Sequence, residues 1–313
     1  MKIVFFLVSF LGLLQGEILN TQIAPSSNGN QFEGITLLDQ KTLLFKEISG
    51  LEFSEISDVT YDQNEKKLYL VSDEGKLFLF EASFSDSIET LNAVSGVTLV
   101  KKEGEKFKKW RRDSEGLAHD NKGNIYVSFE GRAKVGKFNQ KGEMVKKYAL
   151  PKKLRDPKNY RSRNKSLEAL TWHPKYGLLT AAEWPLKNKQ KKDQTVYALN
   201  GKEWHFKAEA EQGSAVVAME VMDDGNLLVM ERSYSGLLNP FVVTLKKVYL
   251  NECKNKKSMC RSELLVKMNS HQGWRIDNFE GLAKVGKHRY VMVSDDNGNF
   301  FQQTLLIYFE VTH

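Results

Sequence analysis

The chain has 313 residues, 41% hydrophobic and 27% charged, with a formal net charge of +7. This is enough apolar material for a globular core. Six prolines, 22 glycines and two cysteines form no tract, which excludes a collagen-like, low-complexity or disulfide-dense chain. The length fits two ordinary domains or one large closed β-fold.

Residues 1–16 read MKIVFFLVSFLGLLQG, one lysine followed by an apolar run from Ile3 to Leu14. That run is too short to span a bilayer comfortably and reads as a secretory signal segment. A buried N-terminal strand or a retained anchor is the competing reading. No later stretch is apolar enough for a membrane helix, so the expectation is a periplasmic or secreted protein.

From residue 30 to 313 the pattern is that of a single all-β domain. Helical periodicity is scarce, whereas β-branched and aromatic runs bounded by turn residues recur: KKLYLVSD (66–73) with KLFLFEA, GNIYVSFE (123–130) with KVGKF, YGLLTAAE (176–183) with TVYALNG, GNLLVMER (225–232) with FVVTLKKVYL, and RYVMVSDD (289–296) with TLLIYFEV. Their spacing of roughly fifty to sixty residues is that of a β-propeller, whose blades cannot bury both faces alone and must pack in a ring. The length suggests six blades, with five the alternative. ITLLDQKTLLF (35–45) is expected to pair with the C-terminal strand and close the ring, and 84–110 to supply part of a blade or an insertion.

Acids recur at fifteen-residue spacing across these hairpins: Asp58 with Asp73, Glu115 with Glu130, Glu168 with Glu183, and Glu280 with Asp295. A hairpin with equal arms brings its ends together. Each unit should thus present two carboxylates at one end, and a ring of units should gather them around an axis. The fourth unit breaks the rule: aligning GNLLVME with GLLTAAE sets Glu231 opposite Glu183, leaves Val216 at the first position and puts Glu220 off the ring. Clustered carboxylates repel unless cations share the site, and an all-oxygen donor set with Asn164, Asn278 and Asn297 nearby suits calcium.

Lysine and arginine cluster in 101–112, 152–165, 187–192 and 254–257, between the expected blades. Charge runs in loops are usually solvated, so nucleic acid is not the expected partner, while anionic headgroups, polyanions or phosphorylated substrates fit the charge. Cys253 and Cys260 are expected to close a local disulfide, because zinc would require further ligands at motif spacing. There is no G-x-S-x-G elbow and no H-E-x-x-H. GRAKVGKF and GLAKVGKH approach a P-loop but lie within hairpins. His119 and His173 read as surface residues beyond the inner strands, and Trp110, Trp172, Trp184 and Trp274 as core or rim.

RDSEGLAHD, NKSLEALTWHP with AAEWPL, LLVMERSYS, and DNFEGLAKV with VSDDNGNFFQQTLLIYF, in this order, resemble the phytase-like propeller proteins, the esterase-like activity of phytase family. The resemblance implies an exported propeller that hydrolyses an ester or phosphoester with calcium. The first blade departs from it, carrying SEISDVTYD where the family has a glycine-rich turn. The site assignment is then Glu115, Glu168 and Glu280 for catalysis. The metal ligands would be Glu115, Glu168, Glu183, Glu280, Asp295 and Asp296, with Arg163 and Arg232 as contacts to a small anionic substrate. Arg111 and Arg112 are further anion-binding candidates, and a monomer is expected. The alternatives are a non-catalytic binding propeller of the cell envelope and a lactone-type hydrolase with one axial metal.

Overall fold

The computed structural model describes residues 16–26, 29–162, 165–234, 236, 239–254 and 259–312. Most of the expected signal segment, Arg163 and Asn164 lie outside the described residues. Among the described residues there are five antiparallel strand units, four of four strands and the last of five, with Glu17–Asn20 on its outer edge. The first runs Ile56–Asp62, Lys67–Ser72, Lys76–Phe84, Ile88–Thr98, and the second Ser114–His119, Ile125–Phe129, Lys134–Phe138, Met144–Tyr148. The third is Leu167–His173, Gly177–Ala182, Asp193–Ala198, Glu203–Lys207. The fourth is Ala215–Val221, Leu227–Ser233, Val242–Lys254, Met259–Asn269. The fifth joins Asn278–Gly286, Arg289–Asp295 and Leu305–Val311 to Ile35–Leu44 from the N-terminal side. The expected closure of the ring by residues 35–45 is therefore present. Residues 84–110 hold the turn and outer strand of the first unit and then two short 3₁₀ turns.

The first strand of each unit lies beside those of the two neighbouring units, in the cycle one–two–three–four–five–one. This is a β-propeller arrangement. Instead of one central core there is an apolar slab at each boundary between units. Val71 and Tyr69 meet Leu117 and Ile125 between units one and two, Tyr126 meets Leu170 between two and three, and Ala169 and Leu179 meet Val216 and Val229 between three and four. Val217 and Met230 meet Phe279 and Met292 between four and five, and Val291 and Val293 meet Val59 and Leu70 between five and one. Alternation along each strand sends residues to both faces of its sheet, and each face finds a neighbour. The outer strands of units three and four also touch through one parallel bridge, His205 with Met259.

Near the axis the inner strands approach backbone to backbone. A Cβ on Gly116 would lie 2.5 Å from the Glu168 carbonyl oxygen, and one on Gly281 2.7 Å from the Asp58 Cα. Glycine follows Glu115 and Glu280 because no side chain fits there. Cys253 and Cys260 are register partners in the long hairpin of the fourth unit and form the expected disulfide. Among the described residues no helix is long and apolar enough to cross a membrane.

Candidate functional site

Each inner strand carries a β-bulge at the same height, and the bulge decides which side chains face the axis. In the fifth unit Asn278 pairs with Asp295 and Phe279 with Ser294, then Gly281 with Val293, so Glu280 is extruded. The same step extrudes Glu115 in the second unit and falls at Glu168–Ala169 in the third. The two acids of a unit are therefore not register partners. Glu130 N–H bonds the Asp113 carbonyl, two residues before Glu115, and Glu183 N–H bonds the Ser166 carbonyl, two before Glu168.

This frame corrects two alignments. In the first unit Ile56 pairs with Ser72 and Asp58 with Val71, so the extruded residue is Ser57. Asp58 sits one step lower and is buried, accepting N–H bonds from Val59 (2.8 Å), Leu117 (2.6 Å) and Leu282 (3.1 Å). It ties the inner strand of unit one to both neighbours. In the fourth unit Val216 pairs with Glu231 and Ala218 with Met230, so Val217 takes the bulge and Arg232 stands where the other units have Asp73, Glu130, Glu183 and Asp295. Glu231 is buried at 1% exposure against Lys246 at 3.0 Å.

The mouth of the axis is a cavity of about 190 Å³ lined by seven carboxylates (Asp73, Glu115, Glu130, Glu168, Glu183, Glu280, Asp295) together with Lys165, Arg232 and Asn297. Arg232 donates to Glu280 and Asn278 and lies 3.7 Å from Glu183. Lys165 holds both oxygens of Glu183 at 2.9 and 2.7 Å. Asn278 bridges Glu280 (2.9 Å) and Asp295 (3.1 Å). Among the described residues, Asp73, Glu115, Glu130 and Glu168 are thus left without an ion pair such as serves Glu183 and Glu280. Burial, reinforced by Glu55, Asp113 and Glu280, pushes Asp73 up to about 8. Burial also brings Glu130 to about 8, with Asp113 and Glu183 raising it further against a bond from the Ser166 N–H. Asp295 reaches about 8 through burial and Glu280. Glu115 is driven well above the carboxylate range by burial and by Glu168, and Glu168 by burial and by Glu183. Glu280 is raised by burial against the pull of Arg232.

Two trios place carboxylate oxygens within 4.8 Å of one another: Asp113, Glu115 and Glu130, and Glu130, Glu168 and Glu183. The second already holds Lys165. The first has no ion pair among the described residues, and Lys134 nearby is itself brought down to about 7 by burial. An all-oxygen trio of this charge fits a hard divalent cation. Asp73 Oδ1, buried with no hydrogen-bond partner, is a further donor at the same mouth. Asp296 does not line the cavity; it accepts from Glu55 N–H, Gly298 N–H and the Thr304 hydroxyl. Arg112 pairs with Glu74 at 2.8 Å and Arg111 lies over Trp110, and neither lines the mouth cavity. His173 is buried and bonds the Gly225 carbonyl, and His119 lies 3.1 Å from Asp62. Both belong to the far end of the axis, and neither is the surface residue expected.

Sequence reasoning missed Asp113 and Lys165. Each stands two or three residues before a bulged glutamate, as Asn278 does in the fifth unit, and that offset was the available signal.

The fold and this mouth define a β-propeller with a carboxylate-lined axial opening. The chain belongs to the phytase-like family: the family model described as "Esterase-like activity of phytase" matches residues 51–298. A solved structure described as "Streptogramin B lyase structure" is similar over 85% of this chain and 96% of that one, with 10% identity and a TM-score of 0.43. No curated protein matches the chain.

Proposed function

We propose that the protein is an exported, five-bladed propeller hydrolase that uses calcium at the axial mouth to cleave an ester or phosphoester of a small anionic substrate. The observation that carries this reading is the imbalance at the mouth, seven lining carboxylates against Arg232 and Lys165. Such a set holds excess protons at neutral pH unless a cation joins it. Membership of the phytase-like family supports ester chemistry, and the disulfide suits an oxidising compartment.

Asp113, Glu115 and Glu130 would hold the ion, with Glu168 beside them. When bound, calcium supplies charge neutralisation at the ester oxygen and a more acidic water. The remaining work falls to the chain. Arg232, fixed by Glu280 and Asn278, presents its remaining N–H donors to the cavity and orients an anionic group. Glu168, with a proton affinity raised well above that of an ordinary carboxylate by burial, accepts a proton from the attacking water and returns it to the leaving group. Purified protein assayed on phosphomonoesters, carboxylic esters and lactones, with calcium and with chelator, tests the reading. Calcium-dependent turnover of an ester class is expected, and no turnover of any class would refute it.

A further inference from the structure

The acid mouth does not stand alone. It shares Lys165, Glu183, Arg232, Glu280 and Asn297 with a larger cavity of about 630 Å³ over the boundary of units four and five. That cavity shares Trp184, Gly213 and Tyr234 with a third, of about 470 Å³, which runs outward between units three and four. The three form one trough from the axis to the rim, and its character changes along the way. At the axis it is almost wholly polar. Beyond Arg232 the apolar side chains Trp184, Tyr234, Phe241 and Ile276 form one side of it, facing the polar Asp277, Asn299 and Gln302.

These side chains are not used up by the core. Phe241 and Ile276 are only partly buried, packing on the apolar slab between units four and five and leaving one side to the trough. Tyr234 is 53% exposed and leans on Phe241 with ring centres 5.6 Å apart. Trp184 directly follows Glu183, and the ammonium groups of Lys165 and Lys191 lie 5.1 and 5.5 Å from its ring centre. The acids of the outer arm are already occupied, Glu209 by Lys246 and Glu211 by Lys267. Volumes of this size, apolar walls and a few charged groups at one end are the features of a small-molecule site.

We propose that this arm binds an apolar limb of the substrate, alkyl or aryl, so that the substrate is an amphiphilic ester: limb between Trp184 and Tyr234, anionic ester group over Arg232 and the acid mouth. A polyol carrying only phosphates would leave the arm filled with water. The inference rests on the hydrolase reading for the word substrate, but the limb-binding arm itself does not.

Non-hydrolysable phosphonates separate the two. Methyl-, octyl- and phenylphosphonate are titrated calorimetrically into the full chain in saturating calcium and again in chelator, alongside Trp184→Ala, Tyr234→Ala, the double variant and Trp110→Ala as an exposed control outside the arm. Circular dichroism and melting verify the fold. Octyl- or phenylphosphonate is expected to bind at least about tenfold more tightly than methylphosphonate, the two limbs telling alkyl from aryl preference. The double variant should bring all three within about threefold, with Trp110→Ala unchanged. Equal binding of the three by the native chain, a preference that survives the double variant, or no phosphonate binding at all overturns the proposal. A preference in a protein that hydrolyses no ester sustains the arm and removes the hydrolase. Ester hydrolysis indifferent to limb does the reverse.

Discussion

The Arg232 guanidinium reaches across the boundary between units four and five to the Glu280 carboxylate, from the one ring position where the other units place an acid. The ring is therefore polarised, with Lys165 and Arg232 serving Glu183 and Glu280 and, among the described residues, no ion pair at Asp73, Glu115, Glu130 or Glu168. Removing one partner of a buried ion pair leaves an uncompensated charge and costs about 3–5 kcal/mol. Arg232 is only partly buried, so Arg232→Gln should lower the stability of the metal-free protein by about 2 kcal/mol. Chemical denaturation would measure this, and calcium should recover part of the loss.

Glu231→Gln gives the contrasting case. Its partner Lys246 is 1% exposed and would keep only the half-buried Glu209 at 2.6 Å, so destabilisation of about 2 kcal/mol is expected. Because Glu231 stands off the mouth, the increase in melting temperature on adding calcium should be the same as in the native chain. Glu115→Gln, on the mouth, should show the opposite pattern: small intrinsic destabilisation and a lost calcium response.

How much of this was legible in the sequence follows from the bulge. The fifteen-residue spacing of Glu115 with Glu130, Glu168 with Glu183 and Glu280 with Asp295 survives because both members are counted across the same bulged hairpin. In the first and fourth units an acid sits one residue off, Asp58 beside Ser57 and Glu231 beside Arg232, and sequence spacing alone takes the nearest carboxylate. A one-residue slip in a strand exchanges its faces. That is why Asp58 caps backbone amides and Glu231 faces Lys246. Propeller architecture was readable from the period. The number of strand units was not, since the N-terminal strand supplies the outer strand of the fifth.

The inner-strand glycines follow from the same crowding. Gly116→Ala and Gly281→Ala each push a Cβ into neighbouring backbone that cannot swing aside, and a cost of about 1–3 kcal/mol is expected. Gly29, with nothing near its Cβ, is strained only by its positive φ and should cost about 1 kcal/mol. Denaturant midpoints would rank the three.

The carboxyl groups of Asp73, Glu130 and Asp295 sit at about 8 in the folded chain against about 4 when unfolded. The folded state then binds more protons than the unfolded state between these values. Their contribution to stability is greatest below about pH 4 and is lost as pH rises through about 8. In chelator the melting temperature should fall across that window, and calcium at the alkaline end should restore it by neutralising the carboxylates there. A melting temperature that rises across the window in chelator would show that these groups are not buried together.

The central claim is that the carboxylates at the mouth of the axis hold a divalent cation. Calcium titration of the chelator-stripped protein, followed by calorimetry and compared with Glu115→Gln and Glu168→Gln, tests it most directly. Saturable binding that both substitutions weaken at least about tenfold is the expected result. No binding by the native chain, or binding that both variants retain unchanged, would contradict it.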